Sequence, residues 1–378
     1  MPSADVSVVI PVYGNHRAAL DCIELVLTSR ATSHCQLVVV DDASVTPETP
    51  AAIAARLEGE PDCQLIRHET NRGFAAAVNS GIEATAGDIV ILNSDVLVPP
   101  HWLAQLQACA RSASNISTIT PFTNNGSICS YPVFCASSGL PQGLDLDEMA
   151  ALFAQANPGN YLEIPTGVGF CMYITRRGID AVGAFDVKTF GAGYGEENDF
   201  CMRASQAGFR HLLCGDLFVY HEGGASFGSS REALMARADE LIEQRHPGYG
   251  ELVEAFIDRD PAAPLRESVD QLRRERPDQL LSLLEEANRR ASLALDQRSR
   301  LRTVYAREHR ELIEYQAKCA ELEQLLATAR ESFATADVEL TRSKSAYASL
   351  ENSYAELSAQ LDEARADSQR IESEFRQL

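Results

Sequence analysis

An α/β domain on a mostly parallel sheet, followed by a long α-helical coiled coil, is the architecture this sequence predicts. Three observations carry it. Between residues 6 and about 222, short apolar runs alternate with amphipathic stretches of helical spacing. The runs are nearly continuous in apolar character, as in strands covered on both faces. From Leu312 to Leu378 apolar residues recur every seven positions with nothing that breaks a helix.

Val6 to Val12 is the first such run, and Ala18, Leu20, Cys22, Ile23, Leu25 and Val26 mark the helix after it. A second strand, Leu37 to Val40, stops at Asp41-Asp42-Ala43-Ser44. A helix around Ala51 to Leu57 leads to a third strand, Cys63 to Ile66. Asn71-Arg72-Gly73 precedes a helix through Ala77, Val78 and Ile82. The strand Asp88 to Leu92 then ends on Asn93-Ser94-Asp95. Strand–helix alternation implies right-handed crossovers and a parallel sheet, whose ligands bind beyond the carboxyl ends of the strands. Asp41, Asp42 and Asp95 fall at such ends.

Residues 1–250 read as the globular domain, 251–279 as a linker punctuated by Pro261, Pro264 and Pro277, and 280–378 as the coiled coil. One seam runs through Leu312, Cys319, Leu326, Phe333, Leu340, Tyr347, Tyr354 and Leu361. The other runs through Tyr315, Leu322, Ala329, Ala336, Leu350, Leu357, Ala364, Ile371 and Leu378. Ser343 and Ser368 interrupt the pattern. A lone helix with this stripe leaves apolar surface wet, so a homo-oligomer or a partner helix is expected. The chain stops on a seam residue without a helix-stop signal, as expected of a piece of something longer.

The 378 residues carry a formal charge of −21. That balance excludes nucleic acid and anionic membranes as partners, because both need clustered Lys and Arg. Ten cysteines without regular spacing predict reduced, mostly buried thiols of a cytoplasmic protein. Neither a signal peptide nor a transmembrane segment is apparent, so any place at the inner membrane is expected to be peripheral, through partners.

The ordered blocks Val8 to Tyr13, Val39 to Ser44, Asn71 to Asn79 and Leu92 to Asp95, then Gly193 to Arg203 and Tyr220 to Ser226, resemble family 2 glycosyltransferases. The resemblance spans roughly residues 5 to 230. It implies a GT-A fold, which is a Rossmann-like sheet with flanking helices. Pro121 to Ser127 resembles a loop of the rhamnosyltransferase-like, polysaccharide-assembling branch. The resemblance places Pro11, Val12, Tyr13, Asp41, Asp42, Asn71, Arg72, Gly73, Asn93, Ser94 and Asp95 around a nucleoside-diphosphate sugar. It makes Asp95 and His221 ligands of Mg²⁺ or Mn²⁺, and it gives the general base to Glu197, with Glu196 and Asp199 beside it.

Each block has its own chemistry. A strand-end carboxylate accepts from a pyrimidine N–H or a ribose hydroxyl, with Asp42 favoured, although Asp42 and Ser44 also suit an Asx cap. Asn71-Arg72-Gly73 ahead of a helix offers backbone N–H groups and a guanidinium to phosphate, and equally suits an ordinary helix cap. Asp95 is the one carboxylate of its tripeptide, with Asn93 supplying a neutral oxygen. His221 ends an apolar run, where a structural histidine is the commoner occupant. Glu196 to Asp199 opens a helix whose dipole keeps first-turn carboxylates ionised, and Asp199 and Arg203 have the spacing of an i,i+4 pair. Trp102 reads as a packing anchor. The expected activity is inverting, metal-dependent sugar transfer to a hydroxyl of a glycan or lipid-linked acceptor in surface-polysaccharide or glycoconjugate assembly. The rival is a non-catalytic scaffold that works through its coiled coil.

Overall fold

The computed structural model describes residues 5–191, 193–223, 231–338 and 344–377. Ala192, the stretch Gly224 to Ser226 and the seam positions Leu340, Ser343 and Leu378 lie outside the described residues. The chain divides into two compact units, Met1–Ala287 and Asn288–Leu378.

The first unit begins with β1 (Val6–Val12), α1 (His16–Ser29), β2 (Gln36–Asp41), α2 (Glu48–Leu57), β3 (Cys63–Arg67), α3 (Phe74–Glu83) and β4 (Asp88–Leu92). This is the alternation expected from the sequence. It continues with β5 (Val96–Leu97), α4 (Trp102–Ala110), β6 (Ile116–Thr123), α5 (Leu146–Ala156), β7 (Tyr161–Ile164) and β8 (Cys171–Ile174). Three helices follow, α6 (Arg176–Val182), α7 (Val187–Phe190) and α8 (Glu196–Gln206), and then β9 (Arg210–His221). The strands form a nine-stranded sheet in the order β3-β2-β1-β4-β8-β6-β9-β5, with β7 also on β9. β1 to β4 pair in parallel, and β6 and β9 run in the same sense. β8, β7 and β5 run against them. The result is a mixed α/β sheet, mostly parallel, with its functional edge at the carboxyl ends of β1 to β4 and β9.

Burial follows the patterning. Val8, Val9, Ile10, Leu37 to Val40 and Ile89 to Leu92 are inaccessible to solvent. Pro11 sits in β1 where pairing with β4 has ended at Val9 and only β2 continues beside it, so its missing N–H leaves no gap in the ladder. Trp102 is fully buried, and its indole N–H donates to Ser29 Oγ at 3.0 Å, as a packing anchor does. All ten cysteines are free thiols and seven are buried.

The stretch 251–279 is not a linker. It forms α10 (Tyr249–Arg259) and α11 (Ala263–Arg274), after α9 (Arg231–Arg245), and Phe256, Ala262 and Val269 join the main core. The proline at 264 stands at the start of α11, where a missing N–H does no harm. Arg273 is fully buried between the Tyr131 hydroxyl (2.7 Å) and both oxygens of Glu286 (2.7 and 2.8 Å). Glu286 belongs to α12 (Leu280–Val338), so the first unit extends beyond the expected boundary at 250.

The second unit pairs the remainder of α12 with α13 (Lys344–Gln377). Leu322 and Leu326 bury against Leu361 and Ala364, flanked by Cys319, Tyr354 and Leu357. Arg330 lies over the Tyr354 ring and Glu323 pairs with Arg365, so partner numbers fall along α13 as they rise along α12. The helices are therefore antiparallel, and over these residues the chain covers its own seam. The outside partner expected from the stripe is replaced over these residues by α13 of the same chain. Among the described residues no helix is long and apolar enough to cross a membrane.

Candidate active site at the carboxyl edge of the sheet

Asp41 closes β2 with no exposed surface. Its Oδ1 accepts from the Ser44 backbone N–H at 3.1 Å, and its Oδ2 meets the Arg67 guanidinium at 3.2 Å. The Asx turn expected of Asp42 thus belongs to Asp41. Asp42 does something else. Its N–H donates to Val12 at 2.9 Å, and its carboxylate accepts from the backbone N–H groups of Arg72 (2.9 Å) and Gly73 (2.8 Å). His68 Nδ1 lies 2.6 Å from the same carboxylate, and His68 Nε2 reaches Ser80 Oγ at 2.9 Å. Asp42 therefore moors the 71–73 loop ahead of α3, with two contacts on Oδ1 and one on Oδ2. Gly73, at φ 86°, caps that helix without a side-chain bond, so the helix N-terminus stays open. The side chains of Asn71 and Arg72 are exposed, as is Tyr13 at the end of β1, whereas Val12 is a core residue. Ala43, Ser44, Arg67, His68 and Glu69 line an open cleft of about 440 Å³ beside them.

Past β4, Asn93 donates its N–H to the Phe170 carbonyl at 2.8 Å, and its buried Oδ1 has no partner among the described residues. Ser94 is half-buried next to it. Asp95 faces His221 with 3.4 Å between carboxylate and Nε2. Burial pushes the Asp95 carboxyl up, but His221 and the backbone N–H groups of Asp95 and Gly223 outweigh it and leave it below the usual carboxylate range. The His221 ring is held on three sides. Nδ1 lies 2.9 Å from the Asn125 carbonyl, Phe170 stacks on the ring at 5.2 Å, and Asn124 bonds both the N–H (2.8 Å) and the carbonyl (3.1 Å) of His221. A carbonyl can only accept, so Nδ1 donates to it and Nε2 is left to face Asp95, as a donor when it holds a proton and as a ligand when it does not. A carboxylate oxygen and an imidazole nitrogen at that spacing are satisfied by a proton or a cation between them.

Among the described residues no cluster of three or more His, Cys, Asp or Glu side chains is suited to a metal. The pair nevertheless fits one. Bonds of about 2.1 Å at right angles put neighbouring ligands about 3 Å apart, and Mg²⁺ sites draw one or two protein carboxylates and complete themselves with phosphate and water. An imidazole next to the carboxylate moves the preference toward a transition ion such as Mn²⁺.

At the start of α8, Gly195 adopts φ +92°, and a Cβ there would press on Phe190 and Ala238 at 3.0 and 3.3 Å. Glu196 is buried. Glu197 lines a pocket of about 200 Å³ with Thr166, Val168, Ala238 and Tyr249 among its walls. One carboxylate oxygen of each glutamate is buried with no partner among the described residues. Burial pushes both carboxyls up, and for Glu196 the neighbouring Glu197 charge adds to it. The backbone hydrogen bonds at the helix start lower them by less, so the expected dominance of the helix dipole is reversed. Asp199 is no base. It is fully buried among Arg203 (2.8 Å), His246 (2.9 Å) and Arg245 (3.0 Å), where it ties α9 to α8.

His68 carries no sequence signal as part of the site. The Asn pair carries one, as part of the 121–127 block, but its work on His221 depends on a strand 97 positions away.

Residues 7–126 match the family model described as Glycosyl transferase family 2. The pre-mycofactocin glycosyltransferase of Mycobacterium tuberculosis is 29% identical over 251 residues, covering 64% of this chain and 48% of that protein. An uncharacterized protein of Sinorhizobium fredii, y4gI, is 24% identical over 230 residues, covering 59% of this chain and 25% of that protein. The chain thus spans between a quarter and a half of the length of these relatives. Among solved structures, a mannosyltransferase from Pyrobaculum calidifontis in complex with GDP-Man and Mn²⁺ is 18% identical, with a TM-score of 0.48 over 78% of this chain and 81% of that one. The matched stretch contains β1 to β4, the 71–73 loop and Asp95.

Proposed function

We propose that the chain is an inverting glycosyltransferase that moves a sugar from a nucleoside-diphosphate donor to a hydroxyl of a glycan or lipid-linked acceptor, as in polysaccharide or glycoconjugate assembly. The observation that carries this reading is the Asp95–His221 pair, fixed by Asn125 with the carboxylate oxygen and Nε2 3.4 Å apart at the sheet edge where ligands bind. Asp95 and His221 would hold Mg²⁺ or Mn²⁺, which when bound neutralises charge on the leaving diphosphate. The open N-terminus of α3, moored by Asp42, offers N–H groups to phosphate oxygens. The cleft at Ser44, Arg67 and Glu69 is where the nucleoside would lie.

Glu197 is the base, because it reaches the pocket while Glu196 is enclosed and Asp199 is neutralised. Its carboxylate takes the acceptor proton as the acceptor oxygen attacks the anomeric carbon opposite the diphosphate. The C–O bond to the donor phosphate breaks in the same displacement, and the nucleoside diphosphate leaves with that electron pair. A raised carboxyl pKa suits a base working near neutral pH.

The test is a donor-hydrolysis screen of the full chain across nucleotide sugars with Mg²⁺ and with Mn²⁺. Turnover should vanish in excess chelator and in Asp95→Ala. Full activity under either condition removes the metal from the mechanism, and no turnover with any donor removes the transferase reading. A non-catalytic scaffold has no structural observation in its favour, since Asp95, His221 and Glu197 are all in place.

A further inference from the structure

The pocket in front of Glu197 has a composition that bears on the acceptor. Two carboxylates face it, Glu197 and Asp239, and no Lys or Arg is among the described residues that line it. Phosphate sites are built from guanidinium groups, ammonium groups and helix N-termini. Here the N-terminus of α8 already faces its own Glu196 and Glu197, whose carboxylates accept from backbone N–H groups at the helix start. Arg203 on α8 is committed to Asp199, and Arg245 on α9 to Asp199 and Asp186. A phosphate brought to this place would meet like charge in a partly desolvated site, where repulsion is least screened.

The remaining walls are of another kind. Tyr194 and Tyr249 stand with Met235, Ile242 and Val253, and Asn198 and Thr166 add polar groups between them. Apolar and aromatic walls with a few placed polar groups are how small-molecule sites hold an uncharged ring. The volume of about 200 Å³ is below the roughly 300–1,000 Å³ of pockets that enclose a drug-sized molecule, so it admits one terminal unit and leaves the rest outside. The α9 and α10 helices supply Met235, Asp239, Ile242, Tyr249 and Val253, and they lie beyond the segment matched to the family.

We propose that this pocket receives the terminal, uncharged sugar unit of the acceptor and rejects acceptors whose reacting end is a phosphate. The proposal rests on the transferase reading above for the word acceptor, and on the pocket alone for its chemistry.

Ligand-observed NMR on the full chain, without nucleotide, tests it with a panel of methyl glycosides, the matching sugar phosphates and a short-chain prenyl phosphate. At least one neutral glycoside should bind and the phosphates should not. Met235→Trp should weaken glycoside binding at least tenfold, with folding checked by circular dichroism. Asp239→Lys should admit a phosphate ligand that the wild-type chain refuses. The proposal is overturned if a phosphate binds the wild-type chain as well as the best glycoside, if no glycoside binds, or if Met235→Trp binds unchanged. Nucleotide-sugar turnover without glycoside binding refutes the pocket assignment alone. Glycoside binding without turnover refutes the transfer reading alone.

Discussion

Replacing Asp42 by Asn separates the two roles available to a strand-end carboxylate. In the structure it accepts from two backbone N–H groups, at 2.9 and 2.8 Å, and touches His68 at 2.6 Å. Hydrogen bonds to a charged group contribute about 1.5–3 kcal/mol each, roughly twice a neutral one. The Asn amide can keep Oδ1 on Arg72 and His68, at reduced strength. Its NH₂ then confronts the Gly73 N–H, so one buried donor loses its partner outright. One lost bond and two weakened ones sum to about 3 kcal/mol. For a unit of this size each kcal/mol moves Tm by about 2–4 °C, so a drop on the order of 10 °C is expected. Differential scanning calorimetry of the ligand-free chain measures it, and nucleotide affinity should fall in parallel because the 71–73 loop loosens. A variant with wild-type Tm and lost nucleotide affinity would refute this reasoning and return Asp42 to direct ligand contact.

Glu196→Gln and Glu197→Gln should each stabilise the fold above pH 4.5. Below the ordinary value of 4.5 both states are protonated and the effect vanishes; above it the unfolded carboxyl releases its proton while the native one keeps it, so wild-type stability falls as pH rises. Urea melts of the wild type and both variants across that range check the sign, and Glu197→Gln alone should cut transfer by about a hundredfold or more. Arg273→Met leaves Glu286 and Asp270 buried without their cation and should cost about 3–5 kcal/mol in urea denaturation; a cost near zero would mean that 251–279 is the linker it resembled in sequence. Leu361→Ala opens the contact with Leu322 and Leu326 and should cost about 2–5 kcal/mol of α12–α13 stability by circular dichroism. Sedimentation of the same variant should match the wild type, because the contact lies within one chain.

What could be read from the chain was whatever is local. A buried run ending in a carboxylate is legible because strand, terminus and side chain are adjacent in sequence, which is why β1 to β4 and Asp41, Asp42 and Asp95 emerge without coordinates. What a carboxylate touches is not local. Asp41 and Asp42 are neighbours with the same residue type, yet one pairs with Arg67 and the other with the 71–73 backbone. Asp199 and Glu197 share a helix turn, and only packing by α9 decides which is neutralised. Prolines 261, 264 and 277 resembled linker punctuation because proline marks helix starts and irregular chain alike. A heptad stripe states that a helix has a partner and not which chain supplies it, so folding back on itself satisfies the pattern as well as association does.

The bracing of His221 by Asn124 spans 97 positions, and Asp42 reaches 31 positions to Gly73. Such contacts form late, because closing a long loop costs entropy before any contact repays it. β9 must be in place to bring His221 to Asp95, so neither half of the sheet would hold the proposed cation alone. A nascent or partly folded chain would present Asp95 without its imidazole and would be silent toward metal. If Asp95 and His221 hold a cation as proposed, its binding in a refolding experiment would report the docking of β9.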